Sequence, residues 1–298
     1  MCGIVGLFLK DETLTPRLGE LLAGMLSTMC ERGPDSAGFA VYGSEEPGTL
    51  KLTLRSAQAG EIVDLIARVA GALDISLPHA VHDTHVVVSV PQTHVDYFLL
   101  EVAKAPAVRM VGSGRRMQIF KEVGRPDQVA DRFGLSCMAG THAIGHTRMA
   151  TESAVTTNGA HPFTTGLDQC LVHNGSLSNH NRLREQLVRH GERFQTDNDS
   201  EVAAAYLAAR MRVGDTLKGA LENGLKDLDG FYTFLVGTRE GFAVIRDPIA
   251  CKPAVIAETD DWAAMATEYR AIAPLPGVEQ AKIWEPAPAT VYAWSRAA

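Results

Sequence analysis

The sequence predicts an α+β fold in which two packed sheets carry helices on their outer faces. Predicted strands and helices follow one another in blocks, as strands, helices, strands, helices and strands, and this order disfavours a doubly wound α/β sheet. The chain has 298 residues, of which 46% are hydrophobic and 21% are charged, so it is long enough for one large domain. Apolar residues recur at strand spacing or helix spacing along most of its length.

The first predicted elements are a strand, a helix and a second strand. Residues 4–8 are almost continuously apolar, which is typical of a buried strand. Thr15-Pro16 then supplies a capping side chain and a proline for the first helical position, and leucines and methionines recur at helical spacing after it. The turn-rich segment 32–38 leads into a predicted strand at 39–42. This pattern predicts a helix that lies on a sheet.

The stretch from about residue 59 to residue 138 differs in character from its flanks. An amphipathic helix is predicted over 62–73, an apolar strand over 86–90, and a short strand around Ile119. We interpret 59–138 as an inserted α/β subdomain with its own small core, which interrupts a single domain spanning 1–298. The histidines of this stretch lack the regular spacing of metal ligands, and no metal site is predicted there.

Charge and composition exclude several classes of protein. The net charge of −7 argues against a nucleic-acid partner, which requires a basic surface. No apolar run reaches the roughly 18–20 residues of a membrane span, and we expect neither a signal peptide nor membrane insertion. The five cysteines are scattered and no pair has metal-ligand spacing, so we expect no metal in this chain. A reducing cytoplasm is the compartment that fits best.

Cys2 is the first candidate for catalysis. If Met1 is removed, Cys2 carries both a thiol and a free α-amine, and an α-amine with a pKa of roughly 7.7–8.0 can accept the thiol proton at neutral pH. Gly3 would let the backbone turn and a substrate approach. The alternative is a small apolar residue near a chain end, since an isolated cysteine is most often structural. A lipid-anchored cysteine would need a leader, and we expect none.

Arg148 and Asp199 together suggest a pocket for an α-amino acid. Arg148 ends a predicted strand, and its planar guanidinium suits a carboxylate. Asp199 precedes a predicted helix and could bind an ammonium group. The alternative for Asp199 or Ser200 is simple capping of that helix.

The segment His173-Asn174-Gly175 follows a predicted strand, and we expect it to form a tight turn. The side-chain amide of Asn174 and the backbone N–H of Gly175 are donors that could converge on an oxyanion. An Asn-Gly pair is also common in hairpin turns, so the interpretation depends on the other candidates.

Taken together, these segments resemble the class II glutamine amidotransferases, whose glutaminase domain has the four-layer αββα sandwich of N-terminal-nucleophile hydrolases. The matching segments are 1–4 (MCGI), 32–38 (RGPDSAG), 145–151 (GHTRMAT), 158–163 (NGAHPF), 173–175 (HNG) and 196–201 (TDNDSE). The resemblance covers about 1–42 and 140–247, and the order of six motifs makes it specific.

The resemblance implies a role for each matching residue. Cys2 would be the nucleophile and, through its α-amine, the base, while Asn174 and Gly175 would form the oxyanion hole. Arg148 would bind the α-carboxylate of L-glutamine and Asp199 its α-amino group. The remaining residues implied at the site are Thr151 and His161, which would line the pocket, and Arg32, Gly33 and Asp35, which would form a mobile loop beside it.

The resemblance also implies partners. The chain is most similar to the glutaminase-type subunit of N-methylglutamate synthase, which is akin to the amidotransferase part of glutamate synthase. It therefore implies partner subunits that carry FMN and an iron–sulfur cluster, with ammonia or methylamine chemistry there and no cofactor in this chain. The alternatives are a non-catalytic structural or regulatory subunit, and an amidohydrolase that acts on a different amide.

Overall fold

The computed structural model describes residues 2–150 and 154–296, which form sixteen strands and seven α-helices. The strands are β1 (Gly3–Leu9), β2 (Ser36–Tyr42), β3 (Thr49–Arg55), β4 (His79–His82), β5 (His85–Pro91), β6 (Arg109–Gly114), β7 (Met117–Val123), β8 (His142–Arg148), β9 (Phe163–Gly166), β10 (Gln169–Leu177), β11 (Gly230–Gly237), β12 (Gly241–Arg246), β13 (Val255–Glu258), β14 (Trp262–Ala266), β15 (Lys282–Trp284) and β16 (Val291–Ser295). The α-helices are α1 (Leu18–Ser27), α2 (Ala59–Leu73), α3 (Val95–Ala103), α4 (Pro126–Arg132), α5 (His180–Arg189), α6 (Asp199–Arg212) and α7 (Leu217–Asp227). Short 3-10 helices cover Glu12–Arg17, Gln92–His94, Leu135–Cys137, Tyr269–Ala271 and Val278–Gln280.

Two large sheets stack face to face. A seven-stranded sheet has the order β15-β13-β14-β1-β8-β2-β7, and a five-stranded sheet has the order β16-β12-β11-β10-β9. Every strand pair in these sheets is antiparallel. An apolar cluster that includes Ile4, Ile144, Val172 and Leu235 fills the space between the sheets. Strand β1 therefore lies in the middle of the fold, and all seven of its residues are buried.

Helices cover the outer face of each sheet. Helices α1 and α4 pack on the seven-stranded sheet over a cluster that includes Leu22, Phe39 and Phe133. Helices α5, α6 and α7 pack on the five-stranded sheet, where the Ala-rich face of α6 allows close approach. The predicted α+β fold with four layers, helix, sheet, sheet and helix, is confirmed. None of the helices in the described part of the chain combines the length and apolar composition of a membrane span.

A third sheet with the order β4-β5-β3-β6 forms a smaller unit with helices α2 and α3. Its bounds differ from the predicted 59–138. The sheet already begins at β3, before residue 59, while β7, which contains Ile119, pairs with β2 in the seven-stranded sheet. Ile119 is therefore part of the core between the two large sheets rather than of the small core. The reason is a pairing between distant parts of the chain, which local patterns do not show.

Two local predictions also need correction. Thr15 and Pro16 lie within the 3-10 helix Glu12–Arg17, and the α-helix begins only at Leu18. His173, Asn174 and Gly175 lie inside β10, paired with β11, rather than in a tight turn. The backbone of these three residues is therefore held by a sheet ladder.

Candidate active site

One cavity collects most of the residues that the sequence singles out. It has a volume of about 240 Å3 and opens beside the start of β1. Its lining residues are Cys2, Arg148, Met149, Ala150, His161, His173, Asn174, Gly175, Asn198, Asp199, Ser200 and Lys252. The ends of β1 and β8, the middle of β10 and the first turn of α6 meet there, so rigid elements position the side chains.

Cys2 is half-buried and directly precedes β1. Its Sγ lies 3.8 Å from the backbone oxygen of Met149. The carbonyl oxygen of Cys2 accepts hydrogen bonds from Arg32 Nε at 2.8 Å and from Asn174 Nδ2 at 3.3 Å. Since β1 is paired on both sides, by β8 and β14, the position of Cys2 is fixed at the end of a buried strand.

Arg148 is the last residue of β8, and only 6% of its surface is exposed. Its Nη1 donates to the backbone oxygen of Ala154 at 3.4 Å. The guanidinium therefore lies at the wall of the cavity with little access to bulk water, where a charged group interacts strongly with a ligand carboxylate.

The segment that carries Arg32, Gly33 and Asp35 packs against the end of β8. Asp35 N donates to the Arg148 backbone oxygen at 3.1 Å, and Asp35 Oδ2 accepts from Ala150 N at 2.8 Å. A Cβ on Gly33 would lie 2.6 Å from the carbonyl carbon of Thr147, so the close approach of the two segments requires glycine. Arg32 also forms an ion pair with Glu268. The segment thus contacts the site, while its mobility stays a prediction.

Gly175 has a φ of +151° in strand β10. A Cβ at this position would lie 2.0 Å from the backbone oxygen of Phe231 and 2.9 Å from His173 Nε2. No other residue fits here without moving the partner strand. Asn174, its neighbour, is 5% exposed and uses one N–H for Cys2, which leaves the second N–H of the amide for another acceptor.

Asp199 is the first residue of α6, and the N-cap is Asn198, whose side chain accepts from Ser200 N at 2.9 Å. The alternative that Asp199 or Ser200 caps the helix is therefore wrong. Asp199 Oδ2 accepts from Leu177 N at 2.8 Å, which orients the carboxylate at the cavity wall. A carboxylate in the first helical turn is also favoured by the helix dipole.

Two buried histidines contact Ser200 at the wall of the cavity, and a third stacks on one of them. Ser200 Oγ lies 2.9 Å from His161 Nε2 and 2.8 Å from His173 Nδ1. His146 stacks on His161 with ring centroids 4.0 Å apart, and its Nε2 lies 3.0 Å from the His173 backbone oxygen. The Ser200 hydroxyl can donate to one imidazole and accept from the other.

Burial keeps these histidines neutral. Loss of water contact lowers the pKa of His146 to about 3 and that of His173 to about 4, and it lowers the pKa of His161 well below its usual range. His173 Nδ1 lies 3.7 Å from Asp199 Oδ1, but a neutral imidazole forms no ion pair with it. The negative charge of Asp199 therefore remains available to a ligand.

The structure brings together most of the predicted residues, and it adds two that the sequence did not single out. Cys2, Arg148, His161, Asn174, Gly175 and Asp199 line one cavity, while Thr151 lies outside the described residues. Ser200 was considered only as a helix cap. Lys252 lines the cavity and places its Nζ 5.1 Å from the centroid of the Phe231 ring, and no sequence pattern pointed to it. Among the described residues, no cluster of His, Cys, Asp or Glu could hold a metal ion.

The stacked pair of antiparallel sheets between helices, with Cys2 directly before the central strand β1, is the fold of the N-terminal-nucleophile hydrolases. The sequence model of the glutamine amidotransferase domain matches residues 127–292, and the chain belongs to this family, the class II glutamine amidotransferases.

Two relatives match the chain over nearly its whole length. The glutamine amidotransferase-like protein GlxB of Rhizobium meliloti is 57% identical over 99% of this chain and 98% of its own length. A putative glutamine amidotransferase of Methanothermobacter thermautotrophicus is 33% identical over 90% of this chain and 92% of its own length.

A solved structure shares the fold. The glutamine phosphoribosylpyrophosphate amidotransferase of B. subtilis superimposes with a TM-score of 0.63 at 23% identity, over 99% of this chain. The chain spans 47% of that enzyme's length, so the similarity concerns about half of that enzyme.

Proposed function

We propose that this protein hydrolyses the side-chain amide of L-glutamine and passes the released ammonia to a partner synthase subunit. One observation carries the proposal, namely that Cys2, Arg148, Asn174, Gly175 and Asp199 share a single cavity of about 240 Å3. The nucleophile directly precedes β1 of one sheet, and the hydrogen-bond donors lie in β10 of the other. Arg148 and Asp199 add groups of opposite charge to the wall of the same cavity. This arrangement supports a substrate with an amide at one end and an α-amino acid at the other.

The reaction that we propose is acyl transfer. After removal of Met1, the α-amine of Cys2 accepts the thiol proton, and the thiolate attacks the amide carbon of glutamine. The α-ammonium of Cys2 then protonates the leaving nitrogen, and the C–N bond breaks. Ammonia departs, and a γ-glutamyl thioester remains on Cys2. Water hydrolyses the thioester to glutamate and restores the thiol.

The tetrahedral intermediate needs donors for its oxyanion. We propose that the second N–H of the Asn174 amide and the backbone N–H of Gly175 supply them. The hydrogen bond from Asn174 Nδ2 to the Cys2 carbonyl supports this role, because it holds the amide next to the residue that carries the nucleophile.

The charged ends of glutamine would bind to Arg148 and Asp199. Arg148 suits the α-carboxylate because its planar fork can donate two parallel hydrogen bonds. Asp199 suits the α-ammonium because its neighbouring histidines are neutral. We propose that Thr151 also lines this pocket, and that His161 organises the wall through Ser200 rather than transferring a proton.

We further propose a heteromeric complex of the N-methylglutamate synthase or glutamate synthase type. In this proposal FMN and an iron–sulfur cluster reside in cytoplasmic partner subunits, and this chain holds no cofactor. The support is the resemblance in sequence to the glutaminase-type subunit of N-methylglutamate synthase. We also propose that the four-stranded unit is an insertion, since it has its own sheet and its own apolar cluster.

The test measures glutamate release from L-glutamine by the purified chain, alone and with its co-expressed partners, for the wild type and Cys2→Ala. We expect turnover that depends on Cys2, and intact mass should show that Met1 is absent. Equal turnover by both proteins, or none in the full complex, would contradict catalysis and favour a structural subunit. Turnover of simple acyl amides but not of glutamine would favour a different amidohydrolase. Flavin absorbance that co-purifies with the tagged chain tests the partner proposal separately.

A further inference from the structure

A second cavity, of about 320 Å3, lies between the small sheet and the five-stranded sheet. Its walls are β6 and β9, each the last strand of its sheet, and the segment between α5 and α6. An edge strand presents backbone N–H and C=O groups that no neighbouring strand pairs. This second cavity shares no lining residue with the cavity beside Cys2, Arg148 and Asp199, which we call the glutamine cavity.

Two of the three basic residues that line this second cavity form no ion pair in the described part of the chain. Arg109, on β6, and Arg193, between α5 and α6, are both exposed, and neither forms an ion pair with any residue of the described ranges 2–150 and 154–296. A guanidinium keeps its charge at every pH that proteins tolerate and offers five donors. Two such groups at one cavity form a site with unused positive charge.

The acidic residues of the cavity are already engaged. Glu192 forms an ion pair with Arg212. Glu201 accepts hydrogen bonds from Gln195 N at 2.8 Å, from Thr196 N at 2.8 Å and from Thr196 Oγ1 at 2.7 Å. These two carboxylates therefore neutralise only part of the positive charge of Arg109 and Arg193.

The inner end of the cavity adds a buried cation and an unused hydroxyl. Lys121 is 8% exposed, and its Nζ donates to the backbone oxygens of Asn158, Ala160 and Pro162 at 3.3, 2.9 and 3.3 Å. Burial lowers the pKa of Lys121 to about 8, so its ammonium form still predominates at neutral pH. Thr165 Oγ1 is buried and has no hydrogen-bond partner in the part of the chain that the structure describes.

We propose that this second cavity is a binding site for a small anion, a phosphate or a carboxylate, held by Arg109 and Arg193 above the Lys121 ammonium. The anion site would also be connected to the cavity beside Cys2 through two of its lining residues. Lys121 holds the loop on either side of His161, and Glu201 follows Asp199 and Ser200 in the first turn of α6. The site is therefore placed to sense or modulate glutamine binding.

The test is titration calorimetry of the full chain with inorganic phosphate and, in a second arm, with glutarate, a dicarboxylate that lacks an α-amino group. We expect saturable binding of at least one probe, and the arm that binds tighter identifies the class of anion. Arg193→Gln and the double variant Arg109→Gln/Arg193→Gln should weaken binding, the latter by about tenfold or more. Arg182→Gln is the matched control, because Arg182 is an exposed arginine on α5 that does not line the cavity.

Two results would overturn the proposal. One is the absence of saturable binding of both probes to the wild type. The other is binding that all three variants retain equally, which would assign the anion to another place. The single variant changes an exposed loop residue, so it tests the site even if the double variant fails to fold. The measurement requires no glutaminase activity and is independent of the proposed function.

Discussion

Asn174 Nδ2 donates a hydrogen bond to the carbonyl oxygen of Cys2 at 3.3 Å, although the two residues are 172 positions apart in the chain. The bond joins the two stacked sheets at the cavity, since Cys2 leads into β1 and Asn174 lies in β10. The proposed nucleophile and the proposed oxyanion donor are thus held by one contact.

Replacing Asn174 by alanine should lower kcat for glutamine hydrolysis by about 10²–10³-fold, because one oxyanion donor is lost, while KM changes little. Steady-state kinetics of the purified variant measure both constants. Asn181→Ala is the control, since Asn181 is an exposed asparagine on α5 outside the cavity, and it should behave like the wild type. An unchanged kcat in Asn174→Ala would remove Asn174 from the mechanism.

Replacing Gly175 by alanine should destabilise the fold. The new Cβ would lie 2.0 Å from the Phe231 backbone oxygen, and alanine would be strained at a φ of +151°. We expect the free energy of unfolding, measured by urea titration, to fall by at least about 2 kcal/mol.

Gly71→Ala is the matched control for this effect. Gly71 lies in α2, and nothing would approach its Cβ within 4 Å. Alanine should therefore raise the free energy of unfolding by up to about 1 kcal/mol, because it is the better helix former. If both variants shifted stability in the same direction, the backbone argument at Gly175 would be wrong.

Local patterns were sufficient to predict two stacked sheets between helices, and they indicated six residues that line one cavity. They were insufficient wherever two distant segments pair. The strand that contains Ile119 joins β2 across about 80 residues of chain, and its own sequence does not show which sheet it enters. His173 to Gly175 read as a turn because Asn-Gly is common in turns, while the pairing with β11 keeps them in a strand.

Ser200 and Lys252, which both line the cavity, also could not be predicted from local patterns. Ser200 bridges His161 and His173, which come from two other segments, so its role depends on three chain regions meeting. Lys252 reaches the cavity from beyond β12, and no residue spacing predicts that approach. Sequence patterns thus identified the site residues that belong to a motif. The structure was needed to find the residues that reach the cavity from other parts of the chain.

Replacing Asp199 by asparagine should raise KM for glutamine by about tenfold or more, with a smaller effect on kcat. The substitution removes the charge that binds the α-ammonium, while the asparagine oxygen can still accept from Leu177 N. Asp197→Asn removes the same charge from an exposed neighbour and is the control. Equal KM values for the two variants would argue against an ammonium site at Asp199.

The buried histidines should make stability depend on pH below the usual histidine range. Burial lowers the pKa of His142 and His146 from 6.5 to about 3 and that of His173 to about 4. In the unfolded chain these groups bind protons below about pH 6.5, whereas in the folded protein they stay neutral. The free energy of unfolding is therefore greatest above that pH and should fall as the pH drops toward 4, by up to about 1.4 kcal/mol per pH unit for each histidine.

His142→Gln isolates one of these groups. His142 stacks on Tyr42 at 4.1 Å and its Nε2 lies 2.8 Å from the Thr238 backbone oxygen, away from the glutamine cavity. We expect the variant to be less stable at every pH. The slope of the free energy of unfolding against pH should also become shallower, by up to about 1.4 kcal/mol per pH unit, because one proton-binding group is removed. Urea titrations at several pH values measure this slope. Asn181→Ala, which removes no titratable group, should leave the slope unchanged. Parallel slopes for the wild type and His142→Gln would show that this histidine does not resist protonation in the folded protein.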